Sequence, residues 1–240
     1  MKSKIILTAF IVIIFLLGIM LGVYVIPKNK TFNEQNKTIN TVYKDIKILG
    51  VDQDGKGVSA IMNVEVKPGS GLVLVNINNL LADYLTQLSA RNAAKAASNF
   101  TKINLSSFDI VYSIKTSVGI IEGPSAGAAM AAATIAALSN RTVNGSVFIT
   151  GSIESNGSIG SVGGINEKAQ AAKDSKALLF LIPEARYNVG YEVVKKCKNI
   201  KDINYCELTY LPKKFELSEL LNLDIIQVKN IDEAVKYILI

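Results

Sequence analysis

The chain has 240 residues, 49% of them hydrophobic, which is enough for one domain with a sizeable core plus an appendage. Its formal charge of +6 comes partly from Lys2 and Lys4, and the other basic residues are spread along the chain, so nucleic acid is not implied as a partner. Histidine is absent and Cys197 and Cys206 alone are too few for a zinc site, so a serine nucleophile would need another base and no metal or other cofactor is called for.

Residues 1–4 form a short basic N-terminus. Ile5 to Ile26 is a run of 22 residues without a charge, about 33 Å as a helix against a hydrocarbon core of about 30 Å. This predicts a single transmembrane helix over 5–26. The competing reading is a cleaved signal peptide, but the run exceeds a usual signal core and Val25-Ile26-Pro27 offers no small-x-small cleavage site. Lysines flank both ends, at Lys2 and Lys4 and at Lys28, Lys30 and Lys37. A short basic N-terminus usually stays inside, which places the body outside the cytoplasm. Residues 27–41 are polar and aperiodic and read as a linker, and the domain proper is expected over 42–240.

Val58, Ala60, Met62, Val64 and Val66 alternate with Ser59, Ile61, Asn63, Glu65 and Lys67, a half-buried strand. Pro68-Gly69-Ser70-Gly71 turns it into a second apolar run, Leu72 to Ile77. Leu81, Tyr84, Leu85 and Leu88 recur at helical spacing in an alanine-rich helix ending near Ser98. A strand is expected over 109–115, an alanine-rich helix over 125–138, a strand over 147–150, a short helix over 164–173 and a strand over 177–182. Lys195, Lys196 and Lys198 read as the solvated face of a helix. Cys197 and Cys206 are compatible with a disulfide in an oxidising compartment or with two thiols in a reducing one. Near the end, Ile225 to Val228 reads as a strand. Asn230 is a cap with Glu233 three residues on, and Ile231, Ala234, Val235 and Ile238 form the apolar face of the helix it starts.

Two segments carry chemistry. In Gly123-Pro124-Ser125-Ala126-Gly127 the glycines permit a sharp turn that puts Ser125 at a helix start, where free amides can hold an oxyanion. Ser125 is also in the right place to be only a helix cap. In Gly163-Gly164-Ile165-Asn166-Glu167-Lys168, the lysine falls in the first turns of a helix. Burial and the helix dipole there favour the neutral amine, the form that can take a serine's proton. The alternative for Lys168 is a surface lysine like Lys173 and Lys176.

The pair, with Glu122 before the serine segment, Thr150-Gly151 between and Leu181-Ile182-Pro183, Asn188 and Val228 to Ala234 beyond, resembles the proteolytic domain of the Lon proteases, a serine-lysine peptidase family. The resemblance spans roughly 45–240. It implies an α+β fold of mixed sheets with packed helices, with Ser125 as nucleophile and Lys168 as base. It also implies supporting roles for Gly123 and Ala126 in the turn, for Glu122 where the family usually has aspartate, and for Thr150 in holding the lysine amine. Ser152 stands where glutamate is usual, and the stretch 189–217 is longer than the family needs. Members assemble as rings, so a homo-oligomeric ring is the implied assembly and a polypeptide the implied substrate. No Gly-x-x-x-x-Gly-Lys-Ser/Thr loop occurs in these residues, so a peptidase acting on unfolded or flexible chains without its own ATPase module is expected. Two other readings compete: a Lon-like binding module without activity, and a galactokinase-type small-molecule kinase relative that holds phosphate at the helix start after Gly123.

Overall fold

The alternating residues after the linker pair as two long strands, β1 (Val42–Val51) and β2 (Gly57–Pro68), with Val42 opposite Val66 and Val51 opposite Gly57. The computed structural model describes residues 15–18, 40–76, 81–115, 120–121, 123–185, 191–200, 203–212, 218 and 221–240. Of the apolar segment 5–26 it covers only 15–18, which are helical, and the rest of that expected span and most of the linker lie outside the described residues. Among the described residues no helix is long and apolar enough to cross a membrane.

Sheet order is β1-β2-β5-β3, with β3 at Val73–Asn76 and β5 at Phe108–Lys115. β2 runs antiparallel to β5, and β3 parallel to it. One face of this sheet, through Ile46, Ile48, Met62, Val64, Ile110 and Tyr112, is buried in the main core. A two-residue strand β4 (Leu81–Ala82) precedes helix α1 (Tyr84–Thr101) and pairs in parallel with β6 (Ile120–Ile121).

The face that α1 buries differs from the expected one. Tyr84, Leu85 and Leu88 are exposed, and the helix packs through Thr86, Ser89, Ala90, Ala93, Ala94, Ala96 and Ala97. The reason lies in its neighbour α2 (Gly127–Ser139), which is buried on all sides except at its last residue and is alanine-rich. Two helices meeting through alanines bring their backbones close, and that close seam turns the larger side chains Tyr84, Leu85 and Leu88 outward.

The second sheet is parallel, ordered β13-β10-β7, from β7 (Val147–Ile149), β10 (Leu179–Pro183) and β13 (Asp224–Val228). Between β7 and β10 the glycine-serine run forms a small hairpin, β8 (Ser152–Ile153) with β9 (Ile159–Gly160), and then helix α3 (Ile165–Asp174). The last helix, α4 (Ile231–Ile238), is capped as its sequence predicts: Asn230 Oδ1 accepts from Glu233 N at 2.9 Å, and Ile231, Ala234, Val235 and Ile238 are buried. Mixed sheets with helices packed against them make this an α+β domain, and residues Ile39–Ile240 form one compact unit.

The basic stretch around Lys195 is a strand, not a helix. β11 (Tyr191–Ile200) and β12 (Ile203–Pro212) form a ten-rung antiparallel hairpin in which Cys197 lies opposite Cys206 and is bonded to it. An isolated two-stranded hairpin is marginal in water, and a cross-strand link restricts its open states. Intact mass of native protein prepared without reductant should therefore be lower by two hydrogens than after reduction. Free thiols at both positions in native protein would contradict this.

Candidate active site

Three elements bring the sequence-predicted residues together. The first is the turn before α2. Gly123 has a φ of +89°, a conformation that L side chains rarely adopt, and its N–H donates to Asp83 Oδ2 at 3.2 Å. The turn hands the chain to a helix whose cap is Ala126, with no side-chain capping bond. Ser125 is therefore not the cap, and its hydroxyl donates no hydrogen bond to a described residue. The hydroxyl of a half-buried serine with no hydrogen-bond partner among the described residues is free for another task.

The amides at this helix start divide into two groups. Gly127 N–H donates to Pro124 O at 3.0 Å and Ala128 N–H to Gly151 O at 3.0 Å, so these two are occupied. Among the described residues, Ser125 and Ala126 N–H have no partner. The amides open to an anion at this turn are thus those of Ser125 and Ala126, not the first ones inside the helix. The same occupancy weighs against a phosphate cradle at Gly127 and Ala128, which a kinase-like reading needs.

The second element is the end of β7. Thr150 N continues the parallel ladder by donating to Leu181 O at 3.0 Å, and the side chain is buried, 1% exposed. Its hydroxyl donates to Ser125 O at 3.2 Å, next to Gly151 N–H donating to the same oxygen at 2.9 Å. Thr150 is tied to the serine's carbonyl here, whereas the resemblance implies a tie to the lysine amine.

The third is α3. Its buried stripe is Ile165, Lys168, Ala169, Ala171 and Ala172, so the lysine holds a core position on an amphipathic helix. Lys168 is 4% exposed, against an expectation that lysines almost never go inside unpaired. Burial pulls its pKa below the ordinary 10.5, opposed by the carboxylate of Glu167. Nζ donates no hydrogen bond to a described residue. The close seat of α3 on the β1–β2 hairpin depends on Gly57, since a Cβ there would overlap the Glu167 carbonyl. Lys47 adds a tie, donating from β1 to Ser175 O at 3.3 Å while lying 4.9 Å above the Phe148 ring.

Ser125, Gly123 and Ala126 from the turn and Gly164, Glu167 and Lys168 from α3 line one cleft of about 650 Å³, walled on its far side by β1 and β2. Glu122 lies outside the described residues, as does Asn188. Sequence reasoning missed the residues of α1 that reach the turn. Asp83 Oδ1 accepts from Thr86 N at 2.7 Å, Thr86 Oγ1 donates to Gly123 O at 3.2 Å and Ser89 Oγ to Pro124 O at 3.3 Å. The helix-cap spacing of Asp83 and Thr86 was a readable signal for where α1 begins, but its reach to a turn 40 residues away was not.

A family model described as the Lon protease (S16) C-terminal proteolytic domain matches residues 87–209, a stretch that contains Ser125, Thr150 and Lys168. The Lon protease of Metamycoplasma arthritidis is 28% identical over 165 residues, 67% of this chain and 20% of its own length. The archaeal Lon protease of Thermoplasma volcanium is 28% identical over 203 residues, 78% of this chain and 30% of its own. Lon protease 2 of Bacillus subtilis is 38% identical over 83 residues, 35% of this chain and 14% of its own. The chain thus spans less than a third of the length of these curated relatives.

Proposed function

Because the chain belongs to the Lon protease (S16) C-terminal proteolytic domain family, we propose that it is a serine peptidase working through Ser125 and Lys168. The observation that carries this reading is the lysine. An amine on the buried stripe of α3, its pKa lowered by burial, faces the same cleft as a serine hydroxyl with no structural role. Neutral Lys168 takes the Ser125 proton as the oxygen attacks a peptide carbonyl, and later delivers it to the leaving amine. Ser125 and Ala126 N–H receive the oxyanion. Water then hydrolyses the acyl-enzyme with the same lysine as base.

The substrate in this reading is an unfolded or flexible polypeptide, and the assembly a homo-oligomeric ring. Cleavage of an unstructured protein such as reduced, carboxymethylated substrate should proceed without ATP and resist EDTA, because the proposed chemistry uses only side chains and amides of this chain. Absence of cleavage with correctly folded protein would count against the reading and in favour of a binding module. Thr150→Val should slow turnover about tenfold, less than a change at Ser125 or Lys168, since it removes one of two donors to the Ser125 carbonyl.

The reading also places the peptidase on a membrane, held by the uncharged segment 5–26 with the body outside the cytoplasm. The Cys197–Cys206 bond supports an oxidising surrounding for the body. Full-length protein should stay with membranes through high-salt and alkaline washes. Release into the supernatant, or mature protein lacking residues 1–26, would overturn the anchor.

A further inference from the structure

The two amides open to an oxyanion belong to peptides whose carbonyls are gripped from the opposite side. In a trans peptide the C=O and N–H point in opposite directions, so whatever holds the oxygen aims the hydrogen. For Ala126 N–H the carbonyl is that of Ser125, held by Gly151 N–H at 2.9 Å and Thr150 Oγ1 at 3.2 Å. For Ser125 N–H the carbonyl is that of Pro124, held by Gly127 N–H at 3.0 Å and by the Ser89 hydroxyl at 3.3 Å. Ser89 comes from α1, is 4% exposed, and is separated from Pro124 by 35 positions in sequence.

A serine within a helix can satisfy its hydroxyl on the carbonyl four residues earlier. Ser89 reaches out of its helix instead, and it is one of a line of such donors. Thr86 Oγ1 donates to Gly123 O at 3.2 Å, Asn92 Nδ2 to Ile153 O at 3.0 Å and Asn99 Nδ2 to Ser155 O at 2.8 Å. One edge of α1 therefore holds both the turn that carries Ser125 and the hairpin that follows Thr150-Gly151. Within that line Ser89 and Thr86 differ in one respect. The peptide gripped by Ser89 ends in the Ser125 N–H, whereas the one gripped by Thr86 ends in the nitrogen of Pro124, which bears no hydrogen.

We propose that Ser89 is a positioning residue of the active site, its hydroxyl fixing the Pro124 carbonyl and so aiming the Ser125 N–H at the developing oxyanion. This rests on the reading of Ser125 as nucleophile. It adds a residue of α1 that controls transition-state stabilisation without touching the substrate.

The test compares Ser89→Ala with Thr86→Val in the full chain, each removing one hydroxyl-to-carbonyl bond from the same helix to the same turn. Ser89→Ala should lower kcat on an unstructured peptide about ten- to a hundredfold with KM within about twofold. It should weaken a peptide boronate, which forms the tetrahedral adduct, by the same factor as kcat/KM. The midpoint of the pH–rate profile should not move, because Lys168 is untouched. Thr86→Val should lower kcat by less than about threefold even where its melting temperature falls as far, since no amide is aimed through it. Equal losses in the two variants, or a Ser89→Ala enzyme with wild-type kcat, would overturn the positioning role alone. Failure of the boronate to bond to Ser125 in the wild-type protein would overturn the peptidase reading and the positioning role together.

Discussion

Ser125→Ala is expected to remove peptide cleavage by at least about a thousandfold, with the melting temperature within about 2 °C of wild type. The two halves of this expectation have separate physical grounds. Turnover is lost because, among the described lining residues, Ser125 alone carries a hydroxyl or thiol that could form an acyl-enzyme, and Lys168 by itself is a base without a nucleophile. Stability is kept because no bond holding the turn uses the Ser125 hydroxyl: Gly123 N–H to the Asp83 carboxylate, Gly127 N–H to Pro124 O, and Gly151 N–H to Ser125 O all survive the substitution. Even the helix cap is unaffected, since it is Ala126 and makes no side-chain bond. Comparing kcat/KM and thermal melting of the two purified proteins checks both halves.

Lys168→Arg should be nearly as damaging, about a hundredfold or more in kcat, because a guanidinium keeps its proton at any ordinary pH and cannot act as base. The wild-type pH profile follows from the same argument. Burial lowers the Lys168 pKa from 10.5, with Glu167 opposing, and only the neutral amine accepts the serine proton. kcat/KM should therefore rise with pH through that lowered pKa and level off above it, a limb absent in Lys168→Arg. Stability carries a matching signature. A lysine with a depressed folded pKa leaves the unfolded chain holding more protons between the two values, so stability is fullest above the unfolded pKa and falls as pH drops toward the folded one. Lys168→Met should be inactive yet lose less stability over that window, because it has no charge to bury. Melting temperatures of both proteins across the alkaline range measure the difference.

Much of the frame was legible because its signals are local. The alternation from Val58 to Val66 became β2, and Asn230 with Glu233 became the cap of α4, whose carboxylate also accepts from Lys229 N at 2.8 Å. The second sheet could be located strand by strand from short apolar runs, though not its parallel pairing, which depends on chain segments far apart. Beside the Lys195 stretch, read as a helix face and found as a strand, two features resisted reading for definite reasons. The hairpin of β8 and β9 has strands of two residues, too short to show a period. In α1 the large apolar side chains suggested one face, while alanine-to-alanine packing against α2 selected another.

At the site, the Gly-Pro-Ser turn and the helix-start lysine made Ser125 and Lys168 candidates, the resemblance to Lon proteolytic domains paired them and added Thr150, and the fold puts Ser125 and Lys168 on one cleft. What spacing could not carry was orientation. Which amides are free depends on Gly127 and Ala128 finding partners in Pro124 and Gly151, and the direction of the Thr150 hydroxyl depends on where the Ser125 carbonyl turns. The polar edge of α1 was hidden for the same reason. Thr86, Ser89 and Asn92 look like ordinary small polar residues of a helix until the Ser125 turn and the β8–β9 hairpin are laid beside them.

The central claim, that Ser125 is a nucleophile activated by neutral Lys168, is tested most directly by reacting the native protein with a fluorophosphonate and locating the adduct by peptide mass spectrometry across a range of pH. A single adduct on Ser125, forming faster as pH rises in the wild type and nearly abolished at every pH in Lys168→Arg, is the predicted result. An adduct on another residue, or labelling of Ser125 at the same rate in wild type and Lys168→Arg, would contradict it.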